Sequence, residues 1–122
     1  MTYRTIKVDP PYNQLLTGIL KFSDYTAAEE TINRLENLRR KFLASSDKKG
    51  VDYCRQIALQ GRFRAESLSR NKRIRSWKRL QKQEIANWFR IWLESPDIFN
   101  DWLALRKENK EFIQLLESEN AG

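Results

Sequence analysis

The chain has no histidine, one cysteine, four glycines and three prolines among its 122 residues, and each scarcity excludes something. Histidine is the commonest general base near neutral pH and the commonest transition-metal ligand. Its absence removes Ser-His and Cys-His pairs and most zinc or iron constellations. The lone Cys54 can close no intramolecular disulfide and reads as a small core residue. So few glycines and prolines argue against a sheet-rich fold with many tight turns. No stretch has the apolar length of a membrane span or the pattern of a signal peptide, so the chain reads as soluble and cytoplasmic. The phosphate-cradling patterns GxGxxG and GxxxxGKS/T are missing, as is CxxC. No catalytic residue, cofactor, metal, small-molecule substrate or membrane attachment is expected.

What is present favours helices: 32% charged residues, many Leu, Arg, Lys, Glu and Gln, and 40% apolar residues including four Trp, six Phe and four Tyr. That is enough apolar surface for one modest core. The expectation is a single all-α domain over residues 1–122, a small bundle of four to five helices preceded by an extended arm at 1–9. Asp9-Pro10-Pro11 breaks the chain before a short helix at 10–21, where Tyr12, Leu15, Leu16, Ile19 and Leu20 recur at helical spacing and Gly18 weakens the pattern. Thr26-Ala27-Ala28-Glu29 has the form of a capping box. Tyr25, Ala28, Ile32, Leu35, Leu38 and Phe42 then mark an amphipathic helix at 24–44.

Ser45 to Gly50 combines cap residues, charge and glycine, as a helix-helix connection does. The helix at 50–69 has an apolar stripe of Val51, Cys54, Ile57, Ala58, Gly61, Ala65 and Leu68. Its small members would let a bulky neighbour approach closely. That neighbour is expected at 72–94, with Ile74, Trp77, Leu80, Ile85, Trp88 and Trp92 on one face. Ser95-Pro96-Asp97 reads as N-cap, first helical residue and dipole-compensating acid of a last helix at 96–118. Its apolar series is Ile98, Trp102, Leu105, Phe112 and Leu116. Asn109 falls in register with that series, so a kink near 107–110 is expected.

Charge is segregated along the chain. Residues 48–82 hold twelve Lys or Arg against Asp52 and Glu66, a local net charge of +10 in a chain of +7, while residues 83–122 carry −4. Such an excess is more than helix solvation requires and points to a surface for a polyanion. On the 72–94 helix, Lys72, Arg75, Arg79, Lys82 and Arg90 fall on one stripe nearly opposite the aromatics. The stripe would run about 27 Å at 1.5 Å per residue, alongside several successive phosphates. Arginine offers bidentate donors to phosphate and lysine a point charge, and counterion release drives association. Lys48, Arg55 and Arg62 would extend the surface over the preceding helix, and Arg70, Lys72, Arg73 and Arg75 would crowd the turn between the two. Phe63 points away from its own apolar stripe and is placed to stack on an unpaired base.

The competing readings are blander. A Lys/Arg-rich face is often only solvated, or paired with acids such as Asp101, Glu108 and Glu111. An outward Phe63 is often covered by another segment. Ala58, Gly61 and Leu68 lack helix-turn-helix spacing, so base-specific reading is not expected. Glu84, set among the aromatics, reads as a buried salt bridge to an arginine of the preceding helix rather than as a general acid. Asp97 and Asp101 read as capping and dipole residues rather than as metal ligands.

The expected activity is therefore non-catalytic binding of a nucleic-acid backbone, DNA or RNA, by a small subunit of a larger nucleoprotein complex. In general character the chain is similar to small helical subunits of CRISPR effector complexes, which line bound nucleic acid, although no motif carries the likeness. The alternative is a helical adaptor or homo-oligomeric interaction module whose basic face docks an acidic protein.

Overall fold

Two of the long helices begin at aspartates that cap them. The Asp24 carboxylate accepts from the Ala27 backbone N–H at 2.8 Å, and that of Asp47 accepts from Gly50 N–H at 3.0 Å, each satisfying a donor with no intrahelical partner. The computed structural model describes residues 7–120. Among them are five helices: α1 (Tyr12–Leu16), α2 (Tyr25–Ala44), α3 (Lys48–Ser69), α4 (Ser76–Glu94) and α5 (Pro96–Asn120). The fold is an all-α bundle, as composition and periodicity indicate. Most of the expected arm, residues 1–6, lies outside the described residues. Residues 7–9 have no regular structure, and Val8 packs against the core.

Several boundaries differ from those expected. The first helix is a single turn, ended at Thr17 before Gly18 takes φ +73°, a conformation glycine adopts without strain. α2 is capped by Asp24 and not by a Thr26/Glu29 box. Glu29 instead accepts from Arg106 of α5 at 2.8 Å and from Lys110 at 3.4 Å. α4 starts at Ser76 rather than near residue 72, because the Asn71 side chain accepts from Arg73 N–H at 3.0 Å and holds residues 71–75 in a turn. α5 runs unbroken from Pro96 to Asn120. Asn109 is exposed, so water meets its amide and no kink is needed.

The most extensive packing is between α3 and α4. Small residues permit it, as the α3 stripe indicates. A Cβ at Gly61 would lie 3.0 Å from both Phe89 Cζ and Leu20 Cδ2, so only glycine admits the Phe89 ring at its observed depth. Trp92, Phe89 and Phe99 are the largest fully buried side chains, joined in the core by Leu16, Ile32, Leu35, Cys54 and Ile85.

The α4 core face is Lys82, Ile85, Ala86, Trp88, Phe89 and Trp92, rotated from the face expected. Trp77 and Leu80 are each 58% exposed. They lie roughly 100° and 160° around the helix from the Ile85/Phe89 direction, at 100° per residue. Glu84 is corrected as well: it is exposed and hydrogen-bonds with Tyr25, whose pKa burial and that bond together raise. The buried acid is Glu36 of α2, which accepts from Arg39 Nη2 at 2.8 Å, Arg40 Nε at 3.0 Å and Trp92 Nε1 at 2.8 Å. Burial works to raise its pKa, but the donors from Arg39, Trp92 and Arg40 outweigh it and hold the carboxyl below the usual range.

Candidate nucleic-acid interface

The cations that sequence reading placed on one stripe separate in the fold into three groups, according to how far each is already neutralised or buried.

Lys82 leaves the surface entirely. It is 8% exposed, and its ammonium donates to the Phe22 and Ser23 carbonyls at 2.6 and 2.9 Å while lying 5.9 Å from the Phe22 ring centroid. Desolvation holds its pKa below the ordinary lysine value, with Asp24 pulling the other way. It ties the α1–α2 connection to α4 and is not placed to meet a phosphate. Arg79 is half-buried, and its Nε is fully enclosed without a hydrogen-bond partner. The α4 stripe is thus corrected: Lys72 and Arg75 precede the helix, and Lys82 faces inward.

A second group is paired locally. Arg62 Nε donates to Glu66 Oε1 at 3.0 Å, and its guanidinium lies 5.9 Å from the Phe63 ring centroid. Arg90 meets Glu94 at 3.4 Å. Phe63 is 39% exposed. Arg55 is exposed on α3, and Lys48 is exposed at its first residue. From Lys48 to Arg70 the helix rises about 33 Å, so those two residues occupy opposite ends of α3.

The third group is concentrated. Arg70, Lys72, Arg73 and Arg75 are all exposed in and beside the turn that joins α3 to α4. Residues 70–79 contain six Lys or Arg and no acid. Arg70 caps the end of α3 and keeps 76% of its side-chain surface open while reaching Glu66 at 3.9 Å. Arg75 occupies the N-cap position of α4 in an extended conformation, φ −55° and ψ +145°, with no side-chain cap, and the first turn of α4 has no acid. A long helix therefore begins with its positive dipole end uncompensated, amid four exposed cations.

One residue that sequence reasoning assigned elsewhere belongs to this end of the molecule. Trp77, expected in the core, is exposed in the first turn of α4, and the Lys78 ammonium lies 5.5 Å from its ring centroid. The missed signal was Asn71 among cations: an Asx turn there delays the helix and carries Trp77 out to its N-terminal turn. Oriented N–H groups, guanidinium and ammonium donors and an open indole face make a surface suited to phosphate and to the π-face of a base.

Elsewhere, among the described residues, no group of His, Cys, Asp or Glu is placed to hold a metal ion, and no helix is long and apolar enough to cross a membrane. No family model, curated protein or solved structure matches the chain.

Proposed function

We propose that the protein is a non-catalytic nucleic-acid-binding helical protein that grips the phosphate backbone with the turn between α3 and α4, as a small subunit of a larger nucleoprotein complex. The observation that carries this reading is the exposure of Arg70, Lys72, Arg73 and Arg75 beside the uncapped start of α4. Phosphate contacts of this kind position a protein without reading sequence. Trp77 stacks on an exposed base, and Phe63 adds a further apolar contact if the strand follows α3. Such binding is insensitive to base sequence and falls steeply with salt, because each neutralised phosphate releases counterions.

The test is a fluorescence-anisotropy titration against labelled single- and double-stranded DNA and RNA of unrelated sequence at several salt concentrations. It is repeated with Arg73→Glu/Arg75→Glu and with Trp77→Ala. Binding with a steep salt slope, weakened in the charge variant while its helical circular dichroism persists, is expected. A larger loss for single strands than for duplexes in Trp77→Ala would identify stacking. Absence of binding by folded protein at low salt would refute the proposal and favour an acidic protein as the partner of the same turn.

A further inference from the structure

α5 has two apolar faces; the bundle covers one of them and touches the second only through Trp102, whose ring centroid lies 5.6 Å from that of Trp88 and 5.5 Å from that of Phe99. Phe99, Leu103 and Arg106 face the body, where Phe99 is fully buried and Arg106 lies 4.8 Å from the Trp88 ring centroid. About 100° around the helix runs a second series: Ile98, Trp102, Leu105, Asn109, Phe112 and Leu116. Its apolar members are 65%, 40%, 60%, 61% and 44% exposed in that order. The spacing is four, three, four, three, four, which keeps all six within a band of about 80° at 100° per residue. This is the alternation of d and a positions in a heptad repeat. From residue 107 to 119 every residue is exposed, and apart from the ion pair of Lys110 with Glu29 at 3.4 Å the end of α5 has no apolar cover. A helix of that length standing in water is marginal without a partner.

We infer that the α5 helices of two copies of this chain pair in parallel along this seam. Three observations select a second copy, in that orientation, as the occupant. Asn109 is the one polar residue in the series and falls at an a position. There two copies place their amides side by side in a parallel dimer, the arrangement in which a lone asparagine sets register and strand number. Charge agrees. With Trp102 and Asn109 at a, Asp101 is a g residue and Arg106 the e residue of the following heptad, so parallel pairing sets Asp101 against Arg106 of the partner subunit. The Arg106 Nε–H goes to Glu29, and the side chain retains 26% of its surface. Antiparallel pairing centred on Asn109 would instead bring Glu108 of one copy beside the same residue of the other. Finally, Ile113 and Leu115 flank the seam and are 53% and 62% exposed, widening the apolar stripe where α5 projects furthest and has most need of cover.

The pairing is independent of any nucleic-acid binding, so it is tested on nucleic-acid-free full-length protein. Sedimentation equilibrium should give a mass twice that of the chain, reverting to the single-chain mass in Leu105→Glu/Phe112→Glu. Both substituted side chains are exposed in the isolated chain, so cooperative unfolding of the bundle should persist through the loss, with helical circular dichroism falling by no more than the fraying of residues 107–119. Leu116→Cys should form an intermolecular disulfide on mild oxidation, because the same a residue meets itself only in parallel pairing. The native Cys54 is buried and does not compete. Asn109→Leu should keep or tighten association while admitting larger species. A monomer at the highest soluble concentration, or a dimer that survives Leu105→Glu/Phe112→Glu, overturns the inference. A dimer in which the Leu116→Cys pair does not cross-link overturns the parallel arrangement.

Discussion

Trp92 of α4 donates its indole N–H to the Glu36 carboxylate of α2 at 2.8 Å, with both side chains buried. The bond crosses from one helix to another through the core and gives a buried charge one of the donors it requires, the others coming from Arg39 and Arg40. Glu36→Gln keeps an acceptor for the indole but removes the charge that both arginines meet. It should cost about 1–3 kcal/mol in urea unfolding. Because the folded-state pKa is lowered, the stabilisation is complete above the ordinary glutamate range and is lost as pH falls through the lowered value. The wild type should therefore lose stability in acid more steeply than Glu36→Gln, as thermal melts across that range would show.

Lys82 and Arg73 should separate stability from binding. Lys82→Met leaves the Phe22 and Ser23 carbonyls without their ammonium donor and should destabilise by about 1–3 kcal/mol, with nucleic-acid affinity unchanged in the folded fraction. Arg73→Glu should alter stability by less than about 0.5 kcal/mol, as exposed substitutions do. It should weaken binding and lower the salt slope by about one unit or more. Urea melts and anisotropy on the same two samples read both quantities.

The Cys54 thiol is completely buried, and burial pushes its pKa up to about 11. Thiolate is the reactive form, so folded protein should resist a thiol-modifying disulfide reagent at neutral pH and react within the dead time of addition once unfolded in guanidinium. Rapid labelling of native protein would show that α3 opens locally far more readily than its packing implies.

Gly61→Ala sets two effects in opposition. Alanine gains roughly 1 kcal/mol of helix propensity over glycine, but its Cβ would meet the Phe89 ring and Leu20 at 3.0 Å. Phe89 is fully buried, so its ring can give way only by displacing other core side chains. Overpacking of this kind costs about 1–3 kcal/mol, so the variant should be less stable than wild type by about 1 kcal/mol in urea unfolding.

Local chemistry in the sequence located much of this architecture. The spacing of Ala28, Ile32, Leu35 and Phe42 identifies α2, Pro96 marks the start of α5, and the small residues of α3 anticipate the close approach of α4. Periodicity alone could not decide which apolar arc of α4 meets the core, since Trp77 and Trp88 differ in burial only through what α2 and α5 place beside them. Lys82 was illegible for a related reason. Its partners are carbonyls 59 and 60 residues earlier, and a backbone acceptor in a loop leaves no mark on side-chain pattern. In the candidate interface, the cluster at residues 70–75 was legible from charge density. The neutralisation of Arg62 by Glu66 and of Arg90 by Glu94 could also have been read from their spacing of four.

The turn that gathers those cations also closes the best-packed helix pair in the molecule. Folding must therefore draw like charges together at the point where α3 reverses into α4, and the hairpin closes against its own electrostatic pressure. Salt relieves that pressure diffusely, whereas a bound polyanion relieves it at the turn and is linked to the folded state by mass action. If the turn binds a polyanion as proposed, ligand occupancy and closure of the α3–α4 hairpin are thermodynamically linked, and the ligand would act as a counterion that favours the closed turn.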